Sequence, residues 1–156
     1  MTVKSIEQYS NVITQNKGVI TVNELTVGMN VLSYDTDSRQ SVWKKVTSKN
    51  EVEPIKEHRI ILKYSNNTLI KLSSYTQVLV VKPELQNSIF ETAFNIEAKE
   101  CNFGYRSNTI MSGGEFKLYL TESYPDLLSR KYYAIQVEDT NNFYCGNFGV
   151  VVVKGA

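Results

Sequence analysis

The chain has 156 residues, with seventeen basic and sixteen acidic side chains, one histidine and two cysteines, for a net charge of +1. That length suits a single domain with one core, and the balanced charge offers neither a nucleic-acid-binding stripe nor an attraction for an acidic partner. No stretch approaches the ~20 apolar residues of a membrane span, and "MTVKSIEQYS" lacks the apolar run of a signal peptide, so a cytoplasmic setting without membrane or nucleic-acid partners is expected.

Strand signals dominate the chain from end to end. Runs rich in Val, Ile, Thr and Tyr follow as "NVIT" (11–14), "GVITV" (18–22), "NVLSYD" (30–35), "SVWKKVTS" (41–48), "RIILKY" (59–64), "TLIKLSS" (68–74) and "TQVLVV" (76–81). Turn chemistry in "QNKG", "DTDS" and "SNN" separates them. The clearest hairpin turns at Ser65-Asn66-Asn67, where Asn tolerates a left-handed backbone. After a strand near "AFNIEA" (93–98) comes a long mixed connection, 99–131, of the kind that is functional or an insertion point in a compact domain. Inside it "ESYPDLLSR" predicts one short helix, with Pro125 in the first turn and Asp126 favouring the N-terminal dipole. "YYAIQVED" (132–139) and "FGVVVV" (148–153) complete the strands, and "VVVVKGA" carries a central-strand pattern to residue 156. The fold class predicted is all-β, in one domain without fixed-period repeats.

Counting excludes several chemistries. A lone histidine, His58, rules out a two-histidine metal site, and its place at the head of a strand pattern suits a structural or exposed role. Cys101 and Cys145 are too few for a disulfide framework and have no close cysteine or histidine in sequence, so neither a structural zinc nor a bound cofactor is expected. Cys145 falls on a strand pattern and reads as core. No phosphate-binding glycine motif occurs, and "SGGEF" at 112–116 reads as a turn.

Three stretches together resemble a known family. "SIEQYSNVITQNKGVITVNELTVGMNVLSYD" is similar to the opening block of inteins and of the wider Hint fold shared with hedgehog autoprocessing domains. Ile13, Gly18, Val22, Leu25, Gly28 and Val31 fall into its pattern, and counting back to the nucleophile position lands on Ser5. "TLIKLSSYTQVLVV" resembles the second block, with its T-x-x-H signature ahead of a strand. "YYAIQVEDTNNFYCGNFGVVVVKGA" resembles the two closing blocks. The resemblance implies a horseshoe-like β domain with its termini close together. Residues 1–4 would be upstream flank (extein), 5–156 the splicing domain, and 99–131 the place of an insertion or a natural split. The chain is too short to hold a homing endonuclease, so a serine-type mini-intein is implied, similar to those in phage replication proteins such as DNA polymerases.

The chemistry implied is single-turnover and autocatalytic. Ser5 would attack the carbonyl of Lys4 in an N–O acyl shift. A downstream nucleophile would take over the acyl group, and a terminal Asn would cyclise to release the domain and let the flanks join. The only partners implied are its own flanking extein sequences, and a complementary fragment if the intein is split. Neither cysteine occupies a catalytic position, so the chemistry would be cysteine-independent. The sequence departs from the pattern in two places. The T-x-x-H signature reads Ser73-Ser74-Tyr75-Thr76, putting a hydroxyl where the histidine would be. The penultimate histidine reads Gly155 and the terminal Asn reads Ala156, which suits either an arrested precursor or a degenerate domain; counting Lys154 at the Asn position would favour degeneracy.

Plainer readings stand beside these. Ser5 also reads as one exposed serine among many, and Ser73 and Thr76 as groups that satisfy backbone at a strand start. Asp139 matches a region that often carries a catalytic acid, yet it suits turn capping as well, and Asn141 sits where many inteins have a polar residue or His. A splicing-inactive Hint-like domain acting as a structural or binding module is the alternative function.

Overall fold

Alternating and continuous apolar runs become strands throughout the computed structural model, which describes residues 4–53, 59–64, 68–82, 87–92, 106–108, 115–123, 130–146, 149 and 151–156. The strands are β1 (Ile6–Glu7), β2 (Asn11–Thr14), β3 (Gly18–Thr21), β4 (Asn30–Asp35), β5 (Gln40–Val52), β6 (Arg59–Tyr64) and β7 (Leu69–Ser73). They continue as β8 (Gln77–Lys82), β9 (Asn87–Thr92), β10 (Arg106–Asn108), β11 (Glu115–Ser123), β12 (Tyr132–Val137), β13 (Asn142–Cys145) and β14 (Val151–Lys154). A 3-10 turn, Val22–Glu24, interrupts them between β3 and β4. In β12 the buried Ile135 and Val137 flank an exposed Gln136, the period of a strand with one wet face. In β14 Val151, Val152 and Val153 are all buried, as a strand covered on both faces must be.

The pairings are antiparallel and run β10-β11-β6-β7-β1-β12-β5-β4-β2-β13-β14-β8-β9, with β3 on β2. Arg106 of β10 also pairs with Val81 of β8, so the sheet curls back on itself. The thirteen residues of β5 make that curl possible. Its first half pairs with β4, from Gln40↔Asp35 to Lys45↔Asn30. Its second half pairs with β12, from Ser48↔Gln136 to Val52↔Tyr132. A register shift between Gln136 and Val137 marks the change, and such an irregularity bends and twists a strand. There the Gly28 N–H donates to the Val46 carbonyl at 2.9 Å and the Val46 N–H to the Met29 carbonyl at 2.8 Å. Gly28 has a φ of 97°, open to glycine at little cost.

The core lies inside the curl. Ile6, Val12, Val46, Ile60, Leu72, Val78, Ile135, Phe143, Val151 and Val153 meet there, drawn from both ends of the sequence. The valine run predicted for the chain's close is therefore a central strand, between β13 and β8.

Some expectations move. The hairpin foreseen at 65–67 is seen through its strands, paired from Arg59↔Ser73 to Lys63↔Leu69, while the turn itself lies outside the described residues. The helix foreseen over 122–130 begins with residues that extend β11, and its Pro125 and Asp126 lie outside the described residues. The 99–131 connection contributes two strands to the sheet, β10 and β11, the latter against β6. The strand expected near 93–98 lies outside the described residues; Asn87–Thr92 just ahead of it forms β9. His58 and Cys101 also lie outside them. Among the described residues no helix is long and apolar enough to cross a membrane.

Candidate functional site

Ser5 precedes the two-residue β1, and its backbone is held by the turn between β7 and β8. That turn is closed by the Thr76 N–H donating to the Ser73 carbonyl at 3.0 Å. It presents two hydroxyls. The Ser5 N–H is shared between Ser73 Oγ at 3.0 Å and Thr76 Oγ1 at 2.9 Å. The two hydroxyl oxygens lie 2.8 Å apart. Thr76 Oγ1–H donates to the Ser5 carbonyl at 3.1 Å, and the Ser73 N–H donates to the same oxygen at 3.1 Å. All three residues are buried. Every backbone polar atom of Ser5 is thus satisfied, while its own Oγ is buried without a hydrogen-bond partner. Such an orphan hydroxyl is costly, on the order of 1–3 kcal/mol, and calls for a reason.

On the opposite side the chain leaves β14 and threads between β12 and the 138–142 loop. The Gly155 N–H donates to the Asn141 carbonyl at 2.7 Å, and the Ala156 N–H to the Ile135 carbonyl at 2.8 Å. Asn141 Nδ2 donates to the Ala156 carbonyl oxygen at 3.0 Å, and Gln136 Nε2 reaches the same atom at 3.3 Å. A Cβ at Gly155 would fall 2.6 Å from the Ile135 carbonyl oxygen and onto Asn141 Oδ1, so only glycine fits. The loop owes its shape to residues that tolerate a left-handed backbone, Asp139 at φ 62° and Asn141 at φ 47°.

These two halves face each other. Lys4, Ser5 and Thr76 line one cleft together with Ile135, Gly155 and Ala156. The cleft is narrow, with a free volume of about 10 Å³, and is walled by Tyr133, Phe143 and Val153. Ser73 stands behind Ser5 as its hydrogen-bond partner, and Asn141 behind Ala156. Asp139 is placed elsewhere. Its Oδ2 accepts from Lys44 Nζ at 2.8 Å on the exposed side of the loop, in a groove shared with Asp35 and Asp37. That hydrogen bond raises the Lys44 ammonium above its ordinary pKa. Cys145 is fully buried in β13, and burial pushes its thiol up to about 12, which leaves it inert near neutrality. Among the described residues no group of three His, Cys, Asp or Glu side chains stands close enough to hold a metal ion.

Two residues of this region escape a sequence reading. Gln136 looks like any solvent-facing residue of an alternating strand, and only the fold brings residue 156 to it. Asn142 is buried and clamps the loop to β4: its Oδ1 accepts from Ser33 Oγ at 2.7 Å and the Tyr34 N–H at 2.8 Å, and its Nδ2 donates to the Tyr34 carbonyl at 2.8 Å. Two adjacent Asn residues ahead of an aromatic strand were the available signal.

No protein-family model and no curated protein sequence matches the chain. Its structure, however, matches solved structures over nearly its whole length. A bacterial intein-like domain from Clostridium thermocellum superposes with a TM-score of 0.79 at 15% identity, covering 99% of this chain and 100% of that one. The PabCDC21-1 intein gives 0.78 at 14% identity, with 99% and 100% covered. A DnaB intein from Synechocystis sp. PCC 6803 gives 0.75 at 13% identity, with 99% of each chain covered. With its curled antiparallel sheet and the shared cleft of residues 4–5 and 155–156, the chain has the all-β Hint fold of inteins and intein-like domains.

Proposed function

We propose that this chain is a serine-type protein-splicing element that acts once on its own flanks. The observation that supports it is the cleft holding the Lys4–Ser5 peptide bond and residues 155–156 together. In the first step Ser5 Oγ bonds to the Lys4 carbonyl carbon and the bond from that carbon to the Ser5 nitrogen breaks. The hydroxyl proton ends on the new amine, so an amide becomes an ester. An unpartnered Oγ is free to turn toward that carbonyl. Ser73 and Thr76 hold the leaving nitrogen in place, a positioning role, because hydroxyls are too weakly acidic to protonate it near neutral pH. A nucleophile on the downstream flank would then accept the acyl group. Where Asn stands at 156, its side-chain nitrogen would attack its own backbone carbonyl, closing a succinimide ring and expelling the next residue as a free amine. Ala156 has no such nitrogen, so this last step is blocked in the chain as it stands. On this reading residues 1–4 are upstream flank and the 99–131 region is where a split would fall; a phage replication protein as host is part of the same proposal.

The second reading, a splicing-inactive Hint-like module with a structural or binding role, is favoured by Ala156 and by the absence of an imidazole at positions 76 and 155. One experiment separates the two. The chain is continued past residue 156 with a Ser and a reporter domain, and Ala156→Asn is introduced. Release of the reporter, leaving a succinimide at 156 by mass spectrometry, supports splicing chemistry; a folded chain that stays intact for days supports the module.

A further inference from the structure

Resting on the splicing reading, we infer that the side-chain amides of Gln136 and Asn141 form a paired donor site for the carbonyl oxygen of residue 156, in place of an imidazole at 155. The orientation of Asn141 follows from its neighbours. Its Oδ1 accepts from the Val137 N–H at 3.1 Å, and a backbone N–H can only donate. The nitrogen end must therefore face the Ala156 oxygen, which it meets at 3.0 Å. Gln136 lies on the outer face of β12, where the acceptor-only oxygen of residue 156 draws its nitrogen end. Its Oε1 accepts from Ser48 Oγ at 3.0 Å, leaving Nε2 to reach the same oxygen at 3.3 Å. The carbonyl is also held in register from behind, because the Ala156 N–H donates to the Ile135 carbonyl at 2.8 Å. Two donors on one carbonyl oxygen are the arrangement that stabilises negative charge developing there during attack on the carbon.

Position 155 cannot supply that help. Any Cβ there would run into the Ile135 carbonyl oxygen at 2.6 Å and into Asn141 Oδ1. Ile135 O is backbone and already carries the residue-156 N–H, so a side chain at 155 would push the closing segment off β12. The amides of 136 and 141 do not titrate, and they remain donors wherever the sheet is folded.

The test has two arms. In the chain continued past residue 156 by a Ser, so that the Ala156 carbonyl sits in a peptide bond and not in a carboxylate, and with the alanine carbonyls labelled with carbon-13, Asn141→Asp and Gln136→Met each remove a donor. Asn141→Asp keeps the acceptor for Val137. Each variant should move the Ala156 carbonyl resonance upfield while the sheet's amide spectrum stays in place; an unmoved resonance in both folded variants overturns the donor pair. In the chain carrying Ala156→Asn and a downstream reporter, each variant should slow release by about a hundredfold, the scale of losing one oxyanion donor. Gly155→His should slow it as well, and an acceleration would overturn the steric half of the inference. If the Ala156→Asn chain itself releases nothing, the splicing reading falls, and the carbonyl resonance alone decides the donor pair.

Discussion

The Thr76 hydroxyl touches both polar ends of the Ser5 backbone, 2.9 Å from its amide nitrogen and 3.1 Å from its carbonyl oxygen. One oxygen both accepts and donates, which no carboxylate or ammonium could do near neutral pH. With Ser73 at its side it pins the residue while leaving the Ser5 hydroxyl without a bond.

The two hydroxyls share one donor, so their removal should be strongly non-additive. Thr76→Val or Ser73→Ala alone leaves the Ser5 N–H one acceptor and should cost about 0.5–1.5 kcal/mol in urea unfolding. The double variant orphans that buried N–H and should cost more than the sum, by about 1–2 kcal/mol of coupling. Additive losses would mean that the N–H finds another acceptor.

Ser5→Ala should separate stability from chemistry. It removes a buried hydroxyl that has no partner, so the folded state should be unchanged or stabilised by up to about 1–3 kcal/mol. Hydroxylamine should slowly release "MTVK" from the parent through the ester at Ser5 and release nothing from the variant. Equal release from both, read by mass spectrometry, would point to ordinary hydrolysis.

Asp139→Asn should leave cleavage unchanged, because its carboxylate faces Lys44 and not the cleft. The pH dependence follows from Lys44, whose folded pKa is raised above its ordinary 10.5 by that hydrogen bond. A raised folded pKa contributes stability that is fully present below 10.5 and is lost as pH rises through the folded value. The variant should therefore differ from the parent below that point and converge with it above, in denaturation curves taken from pH 7 to 12, with the difference shrinking in high salt.

Cys145 should resist iodoacetamide at pH 8 in the folded chain and react once urea exposes it. Its thiol is buried and pushed up to about 12, so almost no thiolate is present. Peptide mapping checks this directly. Labelling of Cys145 without urea would show that β13 opens readily.

Much of this fold is legible in the residues because period and composition agree. β7 alternates around Ile70 and Leu72, and β14 is a bare valine run, so each declares its burial by itself. Ser5, Thr76 and Ala156 are reachable only through the order of three weak motifs, and it is the fold that brings them to one cleft. What was hidden depends on tertiary placement. Ile6–Glu7 is too short a strand to show a period, and β11 ends in "TES" ahead of a proline, which reads as a helix start. Asp139 has the chemistry of a catalytic acid, but the left-handed turn at 139 aims it at Lys44. Gln136 carries no local signal at all, since its partner lies twenty residues away across the sheet.

The strand order has a consequence for the molecule in pieces. β12 lies between β1 and β5, while β13 and β14 lie between β2 and β8. A break between Ser123 and Tyr132 would thus divide the sheet as interlocked fingers, not as two palms. The shorter piece would keep only the β13–β14 hairpin of its own and would have to enter its mate at two separate slots. Its docking would be strand addition, with backbone bonds supplying the affinity. Recognition between such halves and completion of the core would be a single ordering event, with the heat-capacity signature of folding and not that of rigid association.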